Sequence, residues 1–153
     1  MSKVRVLFLC TGNSARSQMA EAFLKQYGGD RFEVYSAGLK PTVIHPLTVR
    51  VLTEAGLDVS GQHAKSVNEY LGKVHFGYLV TVCADAEREC PTFPGVSVRL
   101  HWPIEDPAKF EGAAEQKLAK FREVRDIVEA LVKAWVAEDP DPNPRPPRPE
   151  FKL

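Results

Sequence analysis

Cys10 and Arg16 stand six positions apart in the run Cys10-Thr11-Gly12-Asn13-Ser14-Ala15-Arg16-Ser17. A cysteine attacks as its thiolate, and a guanidinium can fork two oxygens of a tetrahedral anion. On one loop the pair could hold an oxyanion and attack it. The hydroxyls of Ser14 and Ser17 can donate to the sulfur or to the anion. Gly12 admits close approach of the backbone, and Asn13 tolerates the left-handed conformation such loops use. A lone cysteine at a strand end would read as a core residue; the arginine six positions on favours the anion loop.

The flanking residues must supply the geometry. Val4-Arg5-Val6-Leu7-Phe8-Leu9 is short and apolar, which predicts a buried strand, and Met19, Ala20, Phe23, Leu24 and Tyr27 recur at helical spacing. A strand that turns through a short loop into a helix leaves several N–H groups of the helix start unpaired and aimed into the loop. The backbone of Thr11, Gly12, Asn13, Ser14, Ala15, Arg16 and Ser17 is therefore the candidate anion cradle. The positive end of the helix and Arg16 both favour a thiolate at Cys10.

Further along, alternation predicts strands at 32–38, 76–82 and 96–102, with helices around 49–56, 67–71, 83–90 and 118–135. Pro91 stops the third of these helices. Strands separated by helical segments imply right-handed crossovers and a parallel sheet. The expected fold is α/β: a single domain over residues 1–137, its four-stranded parallel sheet flanked by helices on both faces. Ligands of such sheets bind beyond the carboxyl ends of the strands, and Cys10, Cys83 and Asp106 each follow a predicted strand. Residues 138–153 carry a proline-rich run with almost nothing to bury, which predicts an extended or disordered tail.

Cys83 and Cys90 raise a second chemistry. Hydrolysis of a phosphate ester needs one thiolate, an anion loop and an acid; it has no use for two more cysteines, expected here at exposed loop positions. Two-electron reduction of a bound oxyanion does need them. Once Cys10 has formed an adduct, a second thiol must attack, and the resulting disulfide must move to where an external reductant reaches it. Cys83 is the candidate for the attack and Cys90 for the transfer. If residues 83–90 are helical, the two Cα atoms lie about 10 Å apart, whereas a disulfide needs about 4.4–6.8 Å. Pairing them requires that segment to unwind. The spacing is neither C-x2-C nor C-x4-C and no histidine motif sits beside it, so no metal site is expected.

Composition narrows the function classes. The chain has 153 residues, 44 % hydrophobic content and zero formal net charge, which suits one packed domain. It gives no reason to expect nucleic acid or a membrane surface as partner. No signal peptide or membrane span is evident. Three widely spaced cysteines argue for a reducing, cytoplasmic setting, and a monomer is expected.

The loop Cys10 to Glu21, the strand end Tyr35-Ser36-Ala37-Gly38, Val80-Thr81-Val82-Cys83 with Cys90-Pro91, and His101-Trp102 before Asp106-Pro107 together resemble the thioredoxin-coupled arsenate reductases. Those share the fold of the low-molecular-weight protein tyrosine phosphatases. The resemblance covers roughly residues 3–135. It implies that arsenate binds in the loop, that Cys10 attacks arsenic, and that Asp106 is the general acid for the departing hydroxide. It further implies that Cys83 attacks Cys10 to release arsenite, and that Cys90 then frees Cys10 and presents a Cys83–Cys90 disulfide to thioredoxin. Electrons come from that partner, so no bound cofactor is implied. Asn13, Ser17 and Ser36 would brace the loop by hydrogen bonds.

Certain members of the resembled family hold potassium through Asn13, Ser36 and oxygen-bearing side chains near 63–65. His63, Ala64 and Lys65 supply none, and the lysine would repel a cation and take its place, so no potassium dependence is expected. Asp106 before Pro107 also reads as a helix cap. The alternative function is a low-molecular-weight phosphatase acting on phosphate monoesters, which the loop alone cannot separate from the reductase. A non-enzymatic arsenite or redox sensor is a third reading. The anion loop argues against it, since arsenite is uncharged near neutral pH.

Overall fold

A computed structural model describes residues 3–89 and 95–145. Four parallel strands form one sheet: β1 (Val4–Cys10), β2 (Phe32–Gly38), β3 (Phe76–Thr81) and β4 (Val96–His101), in the order β2-β1-β3-β4. The helices are α1 (Arg16–Gly28), α2 (Pro46–Glu54), α3 (Ala84–Glu89) and α4 (Ala114–Ala137). The α/β expectation holds, with each strand within two residues of its predicted span.

The central position of β1 follows from its composition. Val6, Leu7, Phe8 and Leu9 are wholly buried, as a strand covered on both faces must be. Trp135 of α4 packs against Phe32, Tyr78 and Trp102, closing one face. Side chains alternate across a strand. Accordingly Thr81, on the other face, reaches Glu87 of α3, and Tyr35 packs edge-on against Tyr70. The segment expected to be helical at 67–71 is a short 3₁₀ turn, Val67–Glu69.

α2 ends as its sequence predicts: Gly56 has φ 83°, and Leu57 N–H returns to Leu52 O at 3.1 Å. After α4 the chain was expected to bury almost nothing. Its described residues 138–145 are all exposed or half-buried, and two contacts reach them: Tyr78 Oη donates to Asp141 O (2.9 Å) and Arg31 Nη1 to Asp139 Oδ1 (3.0 Å). Among the described residues no helix is long and apolar enough to cross a membrane.

Candidate active site

Cys10 is the last residue of β1, paired in register with Gly38 of β2, and only 2 % exposed. The loop after it folds back on that neighbour strand. Leu39 N–H donates to Cys10 O, Lys40 N–H to Thr11 O, and Thr42 N–H to Gly12 O. The approach is so close that a Cβ on Gly38 would lie 2.6 Å from Thr11 O and 2.9 Å from Asn13 N. A Cβ on Gly12 would meet nothing nearer than Thr42 Oγ1 at 3.3 Å. The glycine that protein packing demands is therefore Gly38.

Within the loop Asn13 adopts φ 51°, the left-handed conformation its residue type allows. This turns its N–H onto Cys10 Sγ at 3.2 Å. Ser17 Oγ lies 2.8 Å from the same sulfur and accepts from Asn13 Nδ2 at 2.8 Å. Asn13 Nδ2 also donates to Ser36 Oγ (3.0 Å), whose own hydrogen goes to Glu21 Oε1 (2.6 Å). The expected braces Asn13, Ser17 and Ser36 thus form one buried chain that ends on the sulfur.

Two members of this network, Gln18 and Glu21, had no role in the sequence reading, whereas Lys65 stands where that reading put it, beside Asn13 and Ser36. Gln18, fully buried, donates to Asn13 O, Asn13 Oδ1 and His63 O. Lys65 offers its N–H to Asn13 Oδ1 at 2.9 Å and its Nζ to His63 O at 2.7 Å, with Glu21 Oε1 3.8 Å away. Burial pushes the Lys65 ammonium below its ordinary pKa, opposed by Glu21. Gln18 and Glu21, three apart on α1, signal a polar helix face behind the loop.

α1 begins at Arg16 with no side-chain cap, so its first N–H groups remain for the loop. Arg16 Nη1 donates to Ile104 O at 3.0 Å, and Nη2 lies 3.5 Å from Asp106 Oδ2. Asp106 Oδ1 meanwhile accepts from Ala108 N–H, capping the 3₁₀ turn Pro107–Lys109. The cap reading of Asp106 therefore holds, and its second oxygen faces Arg16. Arg16 and Asp106 share the wall of a cavity of about 360 Å³ with Cys10, Thr11, Gly12, Ser14 and Ala15. Lys40, Asp85 and Lys109, not foreseen, line its mouth. His45 buttresses the loop from behind, its N–H donating to Ser14 O while Nδ1 accepts from Leu47 N–H. Burial lowers its pKa, as suits an acceptor nitrogen, with Asp106 acting in opposition.

Cys83 follows β3, the neighbour of β1, and is 3 % exposed, not on an exposed loop as expected. Its Sγ lies 3.5 Å from Thr11 Oγ1 and accepts from Ala86 N–H at 3.3 Å. Val82 N–H donates to Leu9 O, which ties the two cysteine-bearing strand ends together. Cys90, with Pro91, lies outside the described residues. No cluster of three or more histidine, cysteine or acidic residues among the described residues could hold a metal ion.

The family model of low molecular weight phosphotyrosine protein phosphatase matches residues 5–139. A protein named arsenate reductase from Halalkalibacterium halodurans is 43 % identical over 136 residues, spanning 88 % of this chain and 96 % of its own. Among solved structures, an arsenate reductase in the phosphate binding state superposes with TM-score 0.75 at 30 % identity, covering 88 % of this chain and 98 % of that one. The low molecular weight protein tyrosine phosphatase of T. tengcongensis has TM-score 0.70 at 25 % identity, covering 89 % and 99 %. The match runs from β1 past the end of α4, through every element that shapes the cavity, and the chain belongs to the low molecular weight phosphotyrosine protein phosphatase family.

Proposed function

We propose that this chain reduces arsenate to arsenite by a three-cysteine relay that thioredoxin regenerates. The single observation carrying this reading is the seat of Cys83. A hydrolase needs no second thiol, yet Cys83 Sγ sits against Thr11, the residue after Cys10, at 3.5 Å.

In the proposed cycle the amides of Thr11 to Ser17 and the Arg16 guanidinium hold the anion. The Cys10 thiolate attacks arsenic(V), and Asp106 protonates the departing hydroxide, which leaves as water. Cys83 then attacks Cys10 Sγ. The sulfur–arsenic pair of electrons stays on arsenic, which departs as arsenite, and a Cys10–Cys83 disulfide remains. Cys90 attacks Cys83, releasing the Cys10 thiolate, and thioredoxin reduces the Cys83–Cys90 disulfide. Electrons come from this partner, so no cofactor is bound, and we place the protein in the cytoplasm as a monomer.

Hydrolysis of phosphate monoesters is the second reading, favoured by the Cys-x5-Arg loop with Asp106 across the cavity. Arsenate-dependent NADPH oxidation with thioredoxin and thioredoxin reductase, run on wild type and each Cys→Ser variant, tests the two. The relay predicts that all three variants lose arsenate turnover, while only Cys10→Ser loses aryl phosphate hydrolysis. Undiminished arsenate turnover in Cys83→Ser would overturn the relay.

A further inference from the structure

The six-residue α3, Ala84–Glu89, is far shorter than a helix that stands by itself. Inside it Ala86 is buried and its N–H rests on Cys83 Sγ. Its other anchor is Glu87. The Glu87 Oε2 atom accepts from Thr81 Oγ1 at 2.5 Å and from Arg99 Nη2 at 3.3 Å, and the Glu87 carbonyl accepts from the same guanidinium at 3.0 Å. His101 Nδ1 lies 2.9 Å from Thr81 Oγ1 and 3.9 Å from Glu87 Oε2. With the threonine hydrogen spent on the carboxylate, His101 carries its own hydrogen on Nδ1. One glutamate thus fastens α3 to both β3 and β4, because Thr81 and His101 are register partners and Arg99 points the same way as His101.

We infer that Glu87 is a positioning residue for the relay, a latch that keeps α3 wound and so opposes transfer of the disulfide from Cys10–Cys83 to Cys83–Cys90. The inference rests on the relay proposed above. In the transfer, the Cys90 thiolate attacks Cys83 Sγ; the Cys83–Cys90 bond forms, the Cys10–Cys83 bond breaks, and Cys10 leaves as thiolate with no net change in oxidation. Six wound residues extend about 9 Å along the helix axis, and a disulfide requires Cα atoms about 4.4–6.8 Å apart. Unwinding therefore works against the contacts that Glu87 makes with Thr81 and Arg99. The latch stabilises the dithiol and makes the pair more oxidising, which favours its onward reduction.

Glu87→Gln keeps length and helix propensity but removes the charge that Thr81 and Arg99 address. In a Cys10→Ser background the full chain holds only the two relay thiols, and their equilibrium with dithiothreitol reads the pair directly. Glu87→Gln should favour the disulfide about tenfold, a potential about 30 mV more negative. Arg99→Gln, outside the helix, should shift it the same way, and the double variant should shift it by less than the sum. An unchanged equilibrium constant in both single variants overturns the latch. Failure of any Cys83–Cys90 disulfide to form in the Cys10→Ser parent overturns the relay instead.

Discussion

Ser17 Oγ lies 2.8 Å from Cys10 Sγ and accepts a hydrogen bond from Asn13 Nδ2. Its single hydrogen is thereby left for the sulfur, an arrangement that suits a thiolate acceptor. Hydrogen bonds to charged groups contribute about 1.5–3 kcal/mol. Ser17→Ala should therefore slow alkylation of Cys10 by iodoacetamide at neutral pH about tenfold or more. Equal rates in variant and wild type at neutral pH would show that the hydroxyl points elsewhere.

Asp106 carries two duties on two oxygens: Oδ1 caps the turn through Ala108 N–H, and Oδ2 faces Arg16. Asn caps as well as Asp but cannot deliver a proton. Asp106→Asn should lower kcat by about 10²-fold or more with little change in Tm. Asp106→Ala should lower both, losing roughly 0.5–2 kcal/mol for the cap. A normal kcat in the Asn variant would return Asp106 to a purely structural role.

The split between what the sequence revealed and what it hid has a physical cause. The anion loop, the sheet and the cap at Asp106 are local, encoded within a few residues of one another, and each was legible. Of the buried network behind the loop, Asn13, Ser17 and Ser36 were legible but Gln18 and Glu21 were not, because Ser17 through Leu24 of α1 are all buried. The apolar stripe Met19, Ala20, Phe23, Leu24 showed only half of a helix enclosed on nearly every side. Lys65 and Glu87 act through partners 44 and 12 positions away, Glu21 and Arg99, and no local pattern announces such pairs. The burial of Cys83 is of the same kind, set by α3 folding over it.

Tyr70 fixes an alkaline limit. Burial first, then the nearby Glu69 and Glu21, pushes its hydroxyl up to about 12, whereas an unfolded tyrosine ionises near about 10. Between those values the folded chain keeps a proton that the unfolded chain has released, so this contribution to stability is lost as pH rises through the window. Half-buried Tyr35 and buried Tyr78 are shifted the same way. Lys65, shifted down, acts in the opposite sense at lower pH. Urea midpoints near pH 8 and pH 11 should therefore fall less for Tyr70→Phe than for wild type. An equal fall would mean that Tyr70 ionises in the folded chain as freely as in the unfolded one.

Lys65 should decide the response to potassium. Its Nζ sits 2.7 Å from His63 O, 3.5 Å from Ser36 Oγ and 3.8 Å from Glu21 Oε1, among the oxygens a monovalent cation would use. A second cation about 4 Å from that ammonium would meet a repulsion of ~4 kcal/mol at an effective dielectric of ~20. Wild-type turnover should be equal in KCl and NaCl, and a several-fold rise with potassium would contradict this. Lys65→Ala empties the place but leaves Glu21 its Lys25 partner at 2.7 Å. The loss should therefore be about 1–3 kcal/mol, short of that for a stranded charge. Potassium should then raise the Tm of Lys65→Ala and leave wild type unmoved, because only the variant offers the Glu21, Ser36 and His63 oxygens without a cation already among them.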